Sequence, residues 1–128
     1  MSSSAVLQFL ECCLGSEREA SGVQQKIDNW IKKYGVRYFS ELTNMALLTE
    51  EVGELSRHIA RIYGEQNYKK KVDGKMLIKE EIGDIFFVLV CLCNQMNIDL
   101  KDCLLNSLEK KTGRDSERHL KNKKLTNG

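Results

Sequence analysis

The chain has 128 residues, 41% hydrophobic and 30% charged, which suits one ordinary folded domain and leaves no room for a second with its own core. Twenty Lys and Arg against eighteen Asp and Glu leave a net charge of +2, too little for a protein that coats nucleic acid through positive charge alone. Proline is absent, which points away from loop-rich and β-sandwich folds and towards helices. Five cysteines (Cys12, Cys13, Cys91, Cys93, Cys103) make an odd set without a C-x-x-C pair, so neither a disulfide framework nor a zinc ribbon is indicated. Reduced, mostly buried thiols are expected. The longest apolar run, Ile85 to Cys93, is nine residues, whereas a bilayer span needs about 20. The N-terminus lacks the basic region of a signal peptide. These features predict a soluble cytoplasmic protein without membrane or nucleic-acid partners.

In chain order, residues 3–14 are expected to form a short helix, with Val6, Phe9, Leu10 and Cys13 on one side, and Gly15 to Gly22 a polar linker. Val23 to Tyr34 reads as a second helix through Ile27, Trp30 and Ile31, ended by Gly35 as a C-cap. Leu42, Met45, Leu48, Val52, Leu55, Ile59 and Ile62 step by three or four residues, which predicts a long amphipathic helix with this stripe inward and Gly64 beyond its end. Glu65 to Lys75, with Lys69–Lys71, reads as a loop. Ile82, Ile85, Leu89, Leu92 and Met96 keep helical spacing through a segment that is apolar nearly all round, so Met76 to Met96 is predicted as a central or interface helix. Asp99 is placed to N-cap a last helix, amphipathic through Leu100, Cys103, Leu104 and Leu108 and then charged. Lys121 to Gly128 is expected to be a flexible basic tail. The expected architecture is all-α, a four- to five-helix bundle assembling through helices, with residues 1–22 as an extension and 23–120 as the domain.

Four carboxylates stand out. Glu51 and Glu54 are three apart on the third segment; Glu81 and Asp84 are three apart on the fourth. Residues i and i+3 lie about 60° apart around a helix and about 4.5 Å along it, so each pair projects from one face. If the two helices pack side by side, the acids converge and repel, and they then require cations. Hard oxygen donors suit Mg²⁺ or Mn²⁺. Taken singly, each acid could equally be a solvated or i,i+3-paired surface charge, as Glu54 could be with Arg57 or His58. Two pairs beside the core stripes of the two most apolar helices favour the cation site.

Glu50-Glu51-Val52-Gly53-Glu54 followed by Glu81-Ile82-Gly83-Asp84 resembles the E-E-x-x-E…E-x-x-D signature of MazG-like nucleotide pyrophosphohydrolases, in the all-α NTP pyrophosphatase group. The surrounding phrases, Tyr38-Phe39-Ser40 through Leu55 and Asn97-Ile98-Asp99-Leu100, share the likeness, which covers about Val23 to His119. The resemblance implies that Glu51, Glu54, Glu81 and Asp84 ligate Mg²⁺, with Mn²⁺ a possible substitute, and that Glu50 positions or deprotonates the attacking water. It implies hydrolysis of an NTP or dNTP between the α- and β-phosphates, giving the monophosphate and pyrophosphate, in nucleotide pool control or house-cleaning. It also implies a homodimer or homotetramer.

Lys110 and Arg114, four apart on the last helix, match positions where relatives carry basic or polar residues and are the candidate phosphate contacts; a solvated basic helix end is the plainer reading. Some relatives carry Asn where this chain has Arg114. Trp30 and Tyr34 are candidates to stack on a base, as aromatics of that helix do in some relatives, although a lone Trp on an apolar face is more often core. His58 reads as a partly exposed helix residue or a partner of the acids. A di-iron bundle would want Glu-x-x-His on two helices, and neither His58 nor His119 has that spacing. The non-enzymatic alternative is a helical interaction module that self-associates through the apolar Ile82–Met96 face.

By position, the near-zero charge conceals a segregation. Residues 41–54 carry Glu41, Glu50, Glu51 and Glu54 with no Lys or Arg. Residues 101–128 carry Lys101, Lys110, Lys111, Arg114, Arg118, Lys121, Lys123 and Lys124 against Asp102, Glu109, Asp115 and Glu117.

Overall fold

A computed structural model describes residues 17–127. Helix α1 spans Glu17–Trp30 and runs into a π-helical turn, Ile31–Gly35; α2 spans Glu41–Tyr63, α3 Gly74–Gln95, α4 Leu100–Leu120 and the short α5 Lys123–Thr126. Among the described residues there is no strand, and the all-α expectation holds. Gln24–Ile98 form one compact unit; of the remaining described residues, 17–23 and 99–127 belong to a second.

The helix starts are written in short polar side chains. Ser40 Oγ accepts from the Thr43 amide at 3.2 Å, Asp73 Oδ1 from Met76 at 3.1 Å and Asp99 Oδ1 from Asp102 at 3.2 Å. Each satisfies an amide that its helix leaves unpaired. Gly64 closes α2: its amide donates to Ala60 O, and a Cβ there would lie 2.6 Å from that oxygen, so only glycine fits without movement.

Within the Gln24–Ile98 unit, α2 packs along α3 in antiparallel register. Asn44, early in α2, meets Gln95 at the end of α3, and His58, late in α2, meets Glu81 near the start of α3. At the loop end, Ile62 reaches so close to Gly74 that a side chain there would force it aside. The buried core centres on α3, through Val88, Val90, Cys91, Leu92 and Cys93, joined by Ile31. Enclosing one such valine stabilises the fold by about 1.5–3 kcal/mol. Of the described cysteines, Cys91 and Cys93 are buried as expected and Cys103 is exposed.

A polar network ties the other end of the unit. Asn94 Nδ2 donates to Gln24 O at 2.9 Å and to Tyr38 Oη at 3.1 Å, and Tyr38 donates to Asp28 Oδ1 at 2.7 Å. Burial, reinforced by Asp28, pushes the Tyr38 hydroxyl up to about 12. Asp28 lies below its usual range because Lys32 and Tyr38 both donate to it.

Three expectations need correction. The 15–22 linker is helical from Glu17 onward, because the Glu-Arg-Glu-Ala run has good helix propensity without an apolar period. Gly35 does not take the left-handed cap position; the chain closes a π turn there and Val36 carries the positive φ of 70°. Within the expected basic tail at 121–128, Lys123–Thr126 make one helical turn capped by Asn122. The apolar stripe of α2 is not inward along its whole length: Leu42 is 85% exposed, and Met45, Val52 and Ile59 are also exposed, whereas Leu48 and Leu55 are half-buried. The face towards α3 is about a quarter turn away and carries Asn44, Glu51 and His58, spaced seven apart. The helix expected at 3–14, with Cys12 and Cys13, and most of the N-terminal extension lie outside the described residues.

Candidate functional site

The register of α2 against α3 brings acids from both helices together. One carboxylate oxygen each from Glu51, Glu81 and Asp84 lie within 4.8 Å of one another. Glu54 falls into a neighbouring group with His58 and Glu81, again within 4.8 Å, so Glu81 is common to both. Glu54 is also 3.8 Å from Arg57, three residues on. Glu50 is exposed on the outer side of α2 beside Glu51.

Electrostatically the cluster is short of positive charge. Burial raises the pKa of Glu51 above the usual carboxylate range, and Glu81, Asp84 and Glu50 push it the same way. Among the described residues, no Lys or Arg is in ion-pair contact with Glu51 or Asp84. An oxygen-only set with unmet negative charge fits a hard divalent cation such as Mg²⁺, which is characteristically held by a few carboxylates together with substrate phosphates.

One turn further along the same faces lies a cavity of about 260 Å³. Leu47, four residues before Glu51, and Val88, four after Asp84, are in its wall with Asn44, Phe87, Trp30 and Arg37. Its size and apolar wall suit a flat ring system. Trp30 is half exposed, set edge-on to Phe87 with ring centroids 5.5 Å apart, and is not buried in the core. Tyr34 stands beside it, ring centroids 5.8 Å apart, 63% exposed.

The basic candidates belong to α4. Lys110 is exposed. Arg114 donates from Nε and Nη2 to Asp115 Oδ2 at 2.9 and 2.6 Å, which holds the Asp115 carboxyl below its usual range. Arg118 lies 3.9 Å from the other Asp115 oxygen, which is buried without a hydrogen-bond partner among the described residues.

Three site neighbours escape the acid motif. Asn44 and Arg37 border the cavity, and His58 is 5% exposed, facing Glu81 rather than solvent. The seven-residue spacing of Asn44, Glu51 and His58 was the available signal, since it puts all three on one face of α2. Arg37 has no comparable signal.

Comparison with known proteins agrees with this arrangement. Residues 39–119 match the family model of the MazG nucleotide pyrophosphohydrolase domain. The chain is 41% identical over 103 residues to the uncharacterized protein YpjD of Bacillus subtilis (strain 168), covering 80% of this chain and 92% of that protein. The crystal structure of Bacillus subtilis YpjD superposes with a TM-score of 0.65 at 41% identity, over 75% of this chain and 97% of the other. That of the Bacillus-conserved MazG protein, a nucleotide pyrophosphohydrolase, gives 0.63 at 37% identity over 77% and 95%.

Proposed function

The chain belongs to the MazG nucleotide pyrophosphohydrolase family, and on that footing we propose that it hydrolyses a nucleoside triphosphate, ribo or deoxy, to the monophosphate and pyrophosphate with Mg²⁺. Members of this family generally depend on a divalent metal. The observation that carries the reading is the convergence of Glu51, Glu81 and Asp84 without a cationic side chain between them.

In this account Glu51, Glu54, Glu81 and Asp84 hold the cation, with Mn²⁺ able to replace Mg²⁺. Bound there, the cation would neutralise the triphosphate and ease formation of a nucleophilic water. Glu50, exposed beside Glu51, orients the attacking water or takes its proton. Attack of that water breaks the link between the α- and β-phosphates, the bridging oxygen leaves with the electron pair, and the monophosphate and pyrophosphate separate. Lys110 and Arg114 bind the phosphates, and Trp30 and Tyr34 stack on the base at the cavity. Residues 23–120 make up the catalytic domain. The metabolic setting is control of nucleotide pools or removal of non-standard nucleotides.

The protein acts as a homodimer or homotetramer in this account. Exposed Ile82, Phe86 and Met96 on α3 support that, as do Leu42, Met45, Val52 and Ile59 on α2, because so many exposed apolar side chains on a small unit favour burial by another copy. Among the described residues no helix is long and apolar enough to cross a membrane.

The test is to incubate the protein with separate NTPs and dNTPs, standard and damaged, plus Mg²⁺, and identify the products by chromatography. Monophosphate and pyrophosphate are expected from at least one substrate. Diphosphate and orthophosphate would place the cleavage at the wrong bond, and no product from any nucleotide would leave the helical interaction module as the better reading.

A further inference from the structure

His58 and Tyr68 take no part in the reaction just described, yet they are built into its site from two different elements. The His58 side chain is enclosed on α2, with Nε2 3.6 Å from Glu81 Oε1. Its Nδ1 lies 2.8 Å from the hydroxyl of Tyr68, which comes from the connection between α2 and α3. The Tyr68 ring tilts against the imidazole at 5.8 Å between centroids and carries the Arg61 guanidinium 5.7 Å from its own centroid. Glu81, the carboxylate at the far end of this chain of contacts, is the one shared by both acid groups.

Resting on the reading of Glu51, Glu81 and Asp84 as the cation site, we propose that His58, held by Tyr68, is the positioning residue for Glu81. A carboxylate beside two others lowers its energy by turning away from them. A donor fixed on its open side opposes that turn, as the partners of metal-ligating side chains do. Glu81 can only accept, so the favourable tautomer carries its N–H on Nε2 towards it, and Nδ1 then accepts from the Tyr68 hydroxyl. With phenylalanine at 68 the hydroxyl that seats the imidazole is gone, and the ring can turn its Nε2 away from the carboxylate. His58 then no longer holds a donor against Glu81.

The experiment is Mn²⁺ titration of the full chain at one pH, followed by electron paramagnetic resonance, with melting temperatures measured in parallel. The variants are Tyr68→Phe, His58→Leu, His58→Gln and Glu51→Gln. Tyr68→Phe and His58→Leu are expected to weaken Mn²⁺ binding by about 10- to 100-fold, the range found for partners that orient metal ligands. His58→Gln, whose amide can still donate, is expected to recover most of that loss. Tyr68→Phe keeps the shape of the site, so it remains informative if His58→Leu does not fold. Unchanged Mn²⁺ affinity in Tyr68→Phe and His58→Leu, whatever happens to the melting temperature, would reduce the pair to packing and overturn the proposal. Nitrogen directly bonded to Mn²⁺ in the wild type would overturn it differently, by making His58 a ligand. If the wild type binds no Mn²⁺, or Glu51→Gln binds as tightly as the wild type, the acid site itself fails and the positioning role falls with it.

Discussion

Asn44 on α2 donates from Nδ2 to Gln95 Oε1 on α3 at 2.7 Å, and Gln95 donates from Nε2 to Phe39 O at 2.9 Å. The two amides latch the entry of α2 to the end of α3, two turns from Glu51, and Asn44 is buried in the cavity wall. The latch fixes the register that brings the acids of the two helices opposite one another. Replacing Asn44 by Leu leaves Gln95 Oε1 without its donor and is expected to cost about 1–3 kcal/mol of stability. Urea unfolding of the variant checks this; an unchanged midpoint would show that the latch contributes nothing net.

The raised pKa of Glu51 gives a pH dependence whose sign is set. In the unfolded chain Glu51 titrates in the ordinary carboxylate range, and in the folded metal-free protein it titrates higher, first because of burial and then because of Glu81 and Asp84. The folded state therefore holds the proton more tightly, so metal-free stability declines as pH rises from the ordinary range through the folded pKa. Cation binding must displace that proton, so affinity climbs across the same window and levels off above it. Melting curves with and without Mg²⁺ are expected to diverge as pH rises, by about 2.7 kcal/mol at a hundredfold excess over Kd. Curves that stay parallel at every pH would contradict this.

How far the sequence anticipated the molecule depended on where the information lay. Local signals carried α2, α3 and the Asp99 cap, because helical period and N-cap chemistry are properties of short windows. The inward stripe of α2 was only partly legible, because a hydrophobic stripe does not say which neighbour buries it; Leu42 and Val52 lie on the surface of the single chain. The pairing of Glu51 with Glu81 and Asp84 was legible once two helical acid pairs were assumed to face each other. The burial of His58 was not, since it depends on Tyr68 returning from the connecting segment, and loop paths carry no period to read.

Trp30 lines the cavity, its ring perpendicular to that of Phe87. If it stacks on the base, Trp30→Ala removes about 1–3 kcal/mol of binding. The expected result is a KM raised about tenfold or more with kcat nearly kept. A lower melting temperature with KM unchanged would make Trp30 a packing residue only.

Lys110 is exposed on α4, whereas Arg114 is already engaged by Asp115. Lys110→Ala is expected to raise KM for the triphosphate more than it lowers kcat, as loss of a phosphate contact does. Steady-state kinetics at several ionic strengths separate this from general charge screening. An unchanged KM removes Lys110 from the phosphate site.

On the proposed function, acids on α2 and α3 jointly hold the cation that hydrolysis needs. Pyrophosphate release in Mg²⁺ by the wild type, Glu51→Gln and Asp84→Asn, each first shown to be folded, tests it most directly. Release by the wild type is expected to stop on chelation and to fall by orders of magnitude in both variants, one from each helix. Release by either variant at the wild-type rate would contradict it.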